Sequence, residues 1–155
     1  MTIEGPPDQT ITGVDALLCF DLYAASRAVT AAYRSVLAET GLTYPQYLVL
    51  TVLWSDPTCT VRQLADRLQL DHATLTPLLR RMEQTGLVVR RRGDVDGRTV
   101  VVSLGEAGEE LRPHGARIQA EMTDAMGLSR DQVATLRGIL RPLMENLGRP
   151  RTPPV

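Results

Sequence analysis

The densest grouping of residues able to contact a ligand lies between Asp71 and Leu104, in the run DHATLTPLLRRMEQTGLVVRRRGDVDGRTVVVSL. His72, Thr74, Thr76, Pro77, Arg80 and Arg81 come first, and Arg90, Asp96 and Arg98 follow in a basic stretch. Hydroxyl, imidazole and guanidinium groups in this mixture donate hydrogen bonds to phosphate oxygens and base edges, which is the chemistry of duplex DNA recognition. A second grouping is Cys19 with Tyr23 and Tyr33. A thiol flanked by phenol donors can hold a thiolate and admit an apolar oxidant; the alternative is a small buried hydrophobe. Asp15 and Asp21 beside Cys19 favour that alternative, because nearby carboxylates raise a thiol pKa.

Positioning these residues requires a helix and a ribbon. Leu75, Leu78, Leu79 and Met82 recur at i, i+3, i+4 and i+7, so they share one face and leave the polar residues on the other. Asp71 is a natural N-cap and Gly86 a natural C′ residue. Leu87, Val88 and Val89 then lead into Arg90, Arg91 and Arg92, a Gly/Asp turn (GDVDG), and the β-branched run Thr99 to Val102, the pattern of a hairpin with a charged tip. Upstream, Thr60 and Gln63 have capping-box spacing, with Leu64 and Leu68 as a short apolar stripe. Residues 60–104 are therefore expected to form a winged helix-turn-helix, its helix in the major groove and an arginine at the tip in the neighbouring narrow groove. A helix and hairpin that serve only as core would share this periodicity, but charge separates the two readings. From Arg62 to Arg98 there are eight Arg against five acids, whereas the rest of the chain has nine Arg against thirteen acids. Positive charge is concentrated where DNA contact is expected.

Taken in order, residues 1–13 are expected to be a flexible arm and residues 148–155 a Pro-rich disordered tail. Between them a single domain, 14–147, is mainly α with a small β-wing. Val14 to Thr40 gives one long helix ended by Gly41, and Thr43 with Gln46 opens a second helix that runs to about Ser55. Asp56 to Cys59 is expected to be a turn. After the wing, Gly105 to Met126 is helical, kinked or delayed by Pro113 and Gly115. Gly127 stops it, and Ser129 with Gln132 caps a last helix carrying Val133, Leu136, Leu140, Leu143 and Leu147 on one face. Terminal helices this long for so small a chain need a further surface, so residues 14–40 and 106–147 are assigned to dimerisation. A two-fold dimer would read an inverted repeat.

The chain of 155 residues is 43% apolar and 23% charged, ordinary globular usage. Every basic residue is Arg, from which no site follows. No membrane-spanning run or signal-peptide pattern is present, which predicts a cytoplasmic protein without membrane association. Cys19, Cys59, His72 and His114 lack ligand spacing, so neither metal nor cofactor is expected. The absence of a resolving cysteine at helical spacing and of a thioredoxin-like βαβ pattern argues against a thiol peroxidase, and no enzymatic activity is expected. Across Cys19, Tyr23 and Tyr33 one problem of reach stands out: they share a helix face, but Tyr33 is fourteen residues beyond Cys19, roughly 21 Å at helical rise. A partner's antiparallel helix would bring the two together.

The runs LCFDLYAASRAVTAAYR, LTYPQYLVLTVLW, LDHATLTPLLRRMEQTGLVVRRR and DGRTVVVSL closely resemble the organic-hydroperoxide-sensing (OhrR) branch of the MarR family, over roughly residues 14–147. The resemblance implies a winged-helix homodimer that represses a peroxide-detoxification gene. It implies that Cys19 is the peroxide-reactive thiolate and that Tyr23 and Tyr33 hydrogen-bond it across the dimer. Asp96 and Arg98 match the wing motif, which would put Arg98 in the minor groove. Relatives that close an intersubunit disulfide carry a second cysteine in the C-terminal region; residues 105–155 contain none. A one-cysteine mechanism follows, with Cys59 a loop or buried thiol and a low-molecular-weight thiol capping the oxidised Cys19. Asp21 occupies a position often apolar in relatives. The rival within the same architecture is a repressor released by a small phenolic ligand, with Cys19 structural.

Overall fold

A computed structural model describes residues 13–93 and 98–148. The expected arm (residues 1–12 of it), the wing tip Asp94 to Gly97, with the site residue Asp96, and the tail beyond Gly148 lie outside the described residues. The element order is α1 (Leu18–Val36), α2 (Tyr44–Ser55), β1 (Thr58–Thr60), α3 (Val61–Leu68), α4 (His72–Gln84), β2 (Val88–Arg92), β3 (Val100–Leu104), α5 (Glu106–Glu110), α6 (Arg112–Met126) and α7 (Arg130–Gly148). The chain is thus mostly helical around one small antiparallel sheet of strand order β1-β3-β2.

Local chemistry accounts for most helix ends. Thr43 and Thr60 each accept from the backbone three residues on, while Gln46 and Gln63 accept from the cap N–H in return, so both capping boxes form as expected. Asp71 accepts from the Thr74 N–H at 2.7 Å and starts α4. That helix ends in a Schellman turn: Leu87 N–H reaches the Met82 carbonyl at 2.9 Å, Gly86 N–H reaches Glu83, and Gly86 takes φ 74°. α3 closes in the same way through Gln69, which takes φ 52° without being glycine.

Three expectations are corrected in detail. The single helix of residues 14–40 is a 3-10 turn at Val14–Ala16, an extended Leu17, α1, and a second 3-10 turn at Ala38–Thr40. Leu17 breaks the first part by leaving the helical region at φ −98° and ψ 109°. Thr58 and Cys59, expected in a turn, form with Thr60 a strand paired with β3, with Cys59 opposite Val102. The β-branched Thr58 and Thr60 flank a buried thiol, a period-two pattern three residues long, too short to stand out. The helix after the wing is divided at Leu111, and Pro113 falls in the first turn of α6, where its missing N–H costs nothing.

The core sits where α2, α3, α4 and the sheet meet, and Leu50, Leu53, Leu64, Leu75, Leu79 and Val102 are fully buried in it. α1 and α7 contribute no buried residue. Leu18, Ile139 and Leu147 are 66%, 61% and 75% exposed. Two nineteen-residue helices with apolar side chains in solvent are surfaces awaiting cover. Among the described residues, no helix is long and apolar enough to cross a membrane.

Candidate functional site

The outer face of α4 matches its expected composition. Leu75, Leu78, Leu79 and Met82 are buried, which leaves His72, Thr74, Thr76, Pro77, Arg80 and Arg81 exposed. Pro77 lies inside the helix and brings no N–H, so the Ala73 carbonyl loses its intrahelical donor on the exposed side. A groove of about 560 Å³ opens between the start of α3, the start of α4 and the wing. Thr60, Arg62, His72, Thr76, Arg90 and Arg98 line it. Reading the sequence did not single out Arg62; its signal was membership of the basic excess, which does not rank individual arginines.

Arg90 is clasped by Glu83. Its Nε and Nη2 donate to Glu83 Oε2 at 3.0 and 2.6 Å, and its backbone N–H donates to Oε1 at 3.2 Å. The Arg90 guanidinium holds the Glu83 carboxyl below the usual carboxylate range. This clasp ties the first wing strand to the end of α4, so Arg90 orients the ribbon against the helix. Arg91 and Arg92, next along β2, are exposed, as is Arg98 where the ribbon returns.

The thiol grouping is split within the protomer. Cys19 is exposed in the first turn of α1, and Tyr23 one turn later is 59% exposed, with the Arg27 guanidinium 5.7 Å from its ring centroid. Tyr33 belongs to a different environment. Its ring stacks on Tyr44 with centroids 3.9 Å apart and planes at 15°, and Tyr47 lies 5.6 Å away. Burial, then the neighbouring phenols, push the Tyr33 hydroxyl up to about 12. Tyr44 is raised as well, chiefly by burial. The stacking makes Tyr44 the phenol that accompanies Tyr33, and the sequence reading missed it. Its signal was its place just inside the Thr43 cap, in the quoted Thr-Tyr-Pro-Gln-Tyr run.

Cys59 is 1% exposed in β1. Its Sγ lies 3.7 Å from the Asp56 carbonyl and 3.9 Å from Arg67 Nη1, and Arg67 also pairs with the Asp56 carboxylate at 2.9 Å. Burial and the Asp56 charge push the thiol up, against the opposing pull of Arg67. A buried thiol kept protonated is a poor nucleophile. Among the described residues no group of three or more His, Cys, Asp or Glu is placed to hold a metal ion.

The MarR family model matches residues 42–100. The chain is 42% identical over 130 residues to the organic hydroperoxide resistance transcriptional regulator of Bacillus subtilis (strain 168), covering 84% of this chain and 88% of that protein. It is 41% identical over 124 residues to the HTH-type transcriptional regulator MgrA of Staphylococcus aureus, covering 79% and 84%. Among solved structures, reduced AbfR bound to DNA superposes with a TM-score of 0.72 at 31% identity, over 85% of this chain and 93% of that one; AbfR is a Staphylococcus epidermidis protein.

Proposed function

From the premise that this chain belongs to the MarR family and is a DNA-binding transcriptional regulator, we propose that it works as a homodimeric repressor whose operator is released when an organic hydroperoxide oxidises Cys19. The observation that carries the reading is the separation of Cys19 from Tyr33 and Tyr44. Cys19 is exposed at one end of α1, and Tyr33, stacked on Tyr44, lines a groove toward the other end. A second α1 running the opposite way brings a sulfur to each phenol pair. Exposed apolar side chains on α1 and α7 supply the surface for that pairing.

Two winged units related by a two-fold axis would read half-sites about one helical turn apart, with the outer face of α4 in the major groove and Arg98 in the minor groove. Arg62, Arg80, Arg81, Arg91 and Arg92 supply phosphate contacts, and Arg90 holds the wing at its angle. In the sensing step the Cys19 thiolate attacks the distal oxygen of R–O–O–H. The O–O bond breaks, the sulfur keeps the hydroxyl as a sulfenic acid, and the alkoxide leaves with the bonding pair and takes a proton from a phenol or water. The sulfenic acid then condenses with a low-molecular-weight thiol, expelling water and leaving a mixed disulfide. Loss of charge and gain of volume at a packed helix pair shift a two-state dimer toward a spacing of heads that no longer fits the operator. Cys59, buried beneath Arg67 and Asp56, takes no part.

The test is operator binding by wild type and Cys19→Ser under graded cumene hydroperoxide with a small thiol present. Wild type is expected to release DNA while Cys19→Ser stays bound. Equal release by both removes the sensing role and leaves the DNA-binding one. A Cys19–Cys59 disulfide as the main product in mass spectrometry refutes the one-cysteine route.

A further inference from the structure

A groove of about 480 Å³ runs between α1, α6 and α7. Tyr33, Met122, Met126, Leu128 and Val133 give it apolar walls, and Arg130 and Arg137 stand on its α7 side. Seven residues of helical rise separate these two arginines, about 10.5 Å along the axis and nearly in line. Neither takes part in any ion pair found among the described residues. Of the acids on α6, Glu121 is engaged by Arg117, and Asp124 lines a neighbouring groove. Two unopposed cations over an apolar floor call for an amphipathic, acidic occupant.

The chain itself contains a segment of that description. From Gly13 to Ser26 it carries Asp15 and Asp21 and no basic residue. Val14, Leu17 and Leu18 in the same stretch are 50%, 37% and 66% exposed. Asp15 and Asp21 lie six residues apart, about 9 Å at helical rise and somewhat more because Leu17 is extended. That spacing suits the arginine pair.

We infer that this groove is the seat of a second copy's Val14–Tyr23 segment, with Arg130 and Arg137 taking up the charges of Asp15 and Asp21 of the partner subunit. The inference rests on the proposed dimer and adds the residues that set its register. It also gives Asp21 a function. Paired with an arginine across the interface, it holds the segment that carries Cys19 in the groove beside Tyr33. The arginines are positioning residues for the sensing step, acting by seating that segment.

The full-length protein tests this by charge reversal, with dimer dissociation measured by sedimentation equilibrium and Cys19 oxidation by cumene hydroperoxide followed as a rate. Asp21→Arg is expected to weaken the dimer about tenfold or more, the scale of a close interfacial charge pair. Adding Arg130→Asp or Arg137→Asp to Asp21→Arg should restore it. Arg130→Ala with Arg137→Ala should likewise weaken the dimer, and should slow oxidation of Cys19 at protein concentrations where the weakened dimer dissociates while wild type stays paired. Wild-type dimerisation and oxidation in Asp21→Arg, or failure of both reversals to rescue it, overturns the inference while leaving the sensing assignment to Cys19→Ser. A wild-type chain that stays monomeric overturns both.

Discussion

Gly108→Ala perturbs the joint between the DNA-reading half and the long helices. Gly108 is buried in α5, and a Cβ built there lies 2.2 Å from the Leu87 carbonyl oxygen and 3.1 Å from a Leu50 methyl. A carbon needs about 3.3 Å from such an oxygen, so the backbone has to move by about 1 Å. Leu87 is poorly placed to yield. Its N–H closes the α4 Schellman turn on Met82 at 2.9 Å, and its carbonyl accepts from Gly105 at 3.0 Å. The Gly108 carbonyl in turn accepts from Trp54 Nε1 at 3.1 Å. Overpacking costs about 1–3 kcal/mol, and losing a backbone hydrogen bond adds about 0.5–1.5 kcal/mol. The expected loss is about 2–4 kcal/mol out of the 5–15 kcal/mol typical of a domain. Urea unfolding at fixed protein concentration reads it as a lower midpoint at constant slope. Gly138→Ala is the control: it sits in α7 with nothing within 4 Å, and it should gain up to about 1 kcal/mol. Operator affinity should fall for Gly108→Ala, because Leu87 roots β2 and the Glu83–Arg90 clasp. A loss under about 1 kcal/mol with unchanged affinity would refute the close approach.

Glu83→Gln should weaken operator binding without changing its salt dependence, since it releases the wing and removes no phosphate contact. Arg92→Ala should lower the slope of log K against log salt by about 0.9, one phosphate's worth; filter binding across a salt series separates the two. Because Arg90 lowers the folded-state pKa of Glu83, the stability this carboxylate contributes is present above its unfolded pKa and is lost as pH falls through the folded one. The difference in urea midpoint between wild type and Glu83→Gln should accordingly shrink on acidification, and a constant difference would count against the clasp. Gln69→Gly relieves a left-handed, exposed residue at the end of α3. Releasing about 1–2 kcal/mol of strain against up to about 1 kcal/mol of added unfolded-state entropy should raise stability by about 0.5–1 kcal/mol in thermal or urea melts.

Features governed by near neighbours in the chain were legible from residue types. The caps at Thr43, Thr60 and Asp71 and the left-handed glycines Gly41, Gly86 and Gly127 follow from bonds spanning a few residues. The inward face of α4 follows from its period, and once that face is fixed the outward set of His72, Thr74, Thr76, Pro77, Arg80 and Arg81 follows too. Local pattern failed where one residue's conformation broke a periodic run, as at Leu17, and where three residues formed a strand because β3 was there to pair with them.

The sequence by itself determined α4 with its inward face, the ribbon that follows it, the excess of positive charge around them and the presence of a thiol with phenols on one helical face. Those properties depend on periodicity and composition, which need no knowledge of what packs against what. Only the tertiary structure decided that Arg90 grips Glu83, that Tyr33 stacks on Tyr44 while Tyr23 faces solvent, and that Cys59 is sealed beneath Arg67 and Asp56. Each depends on which side chain meets another across a gap in the chain, and identical residue types serve either role until the fold brings a partner within reach.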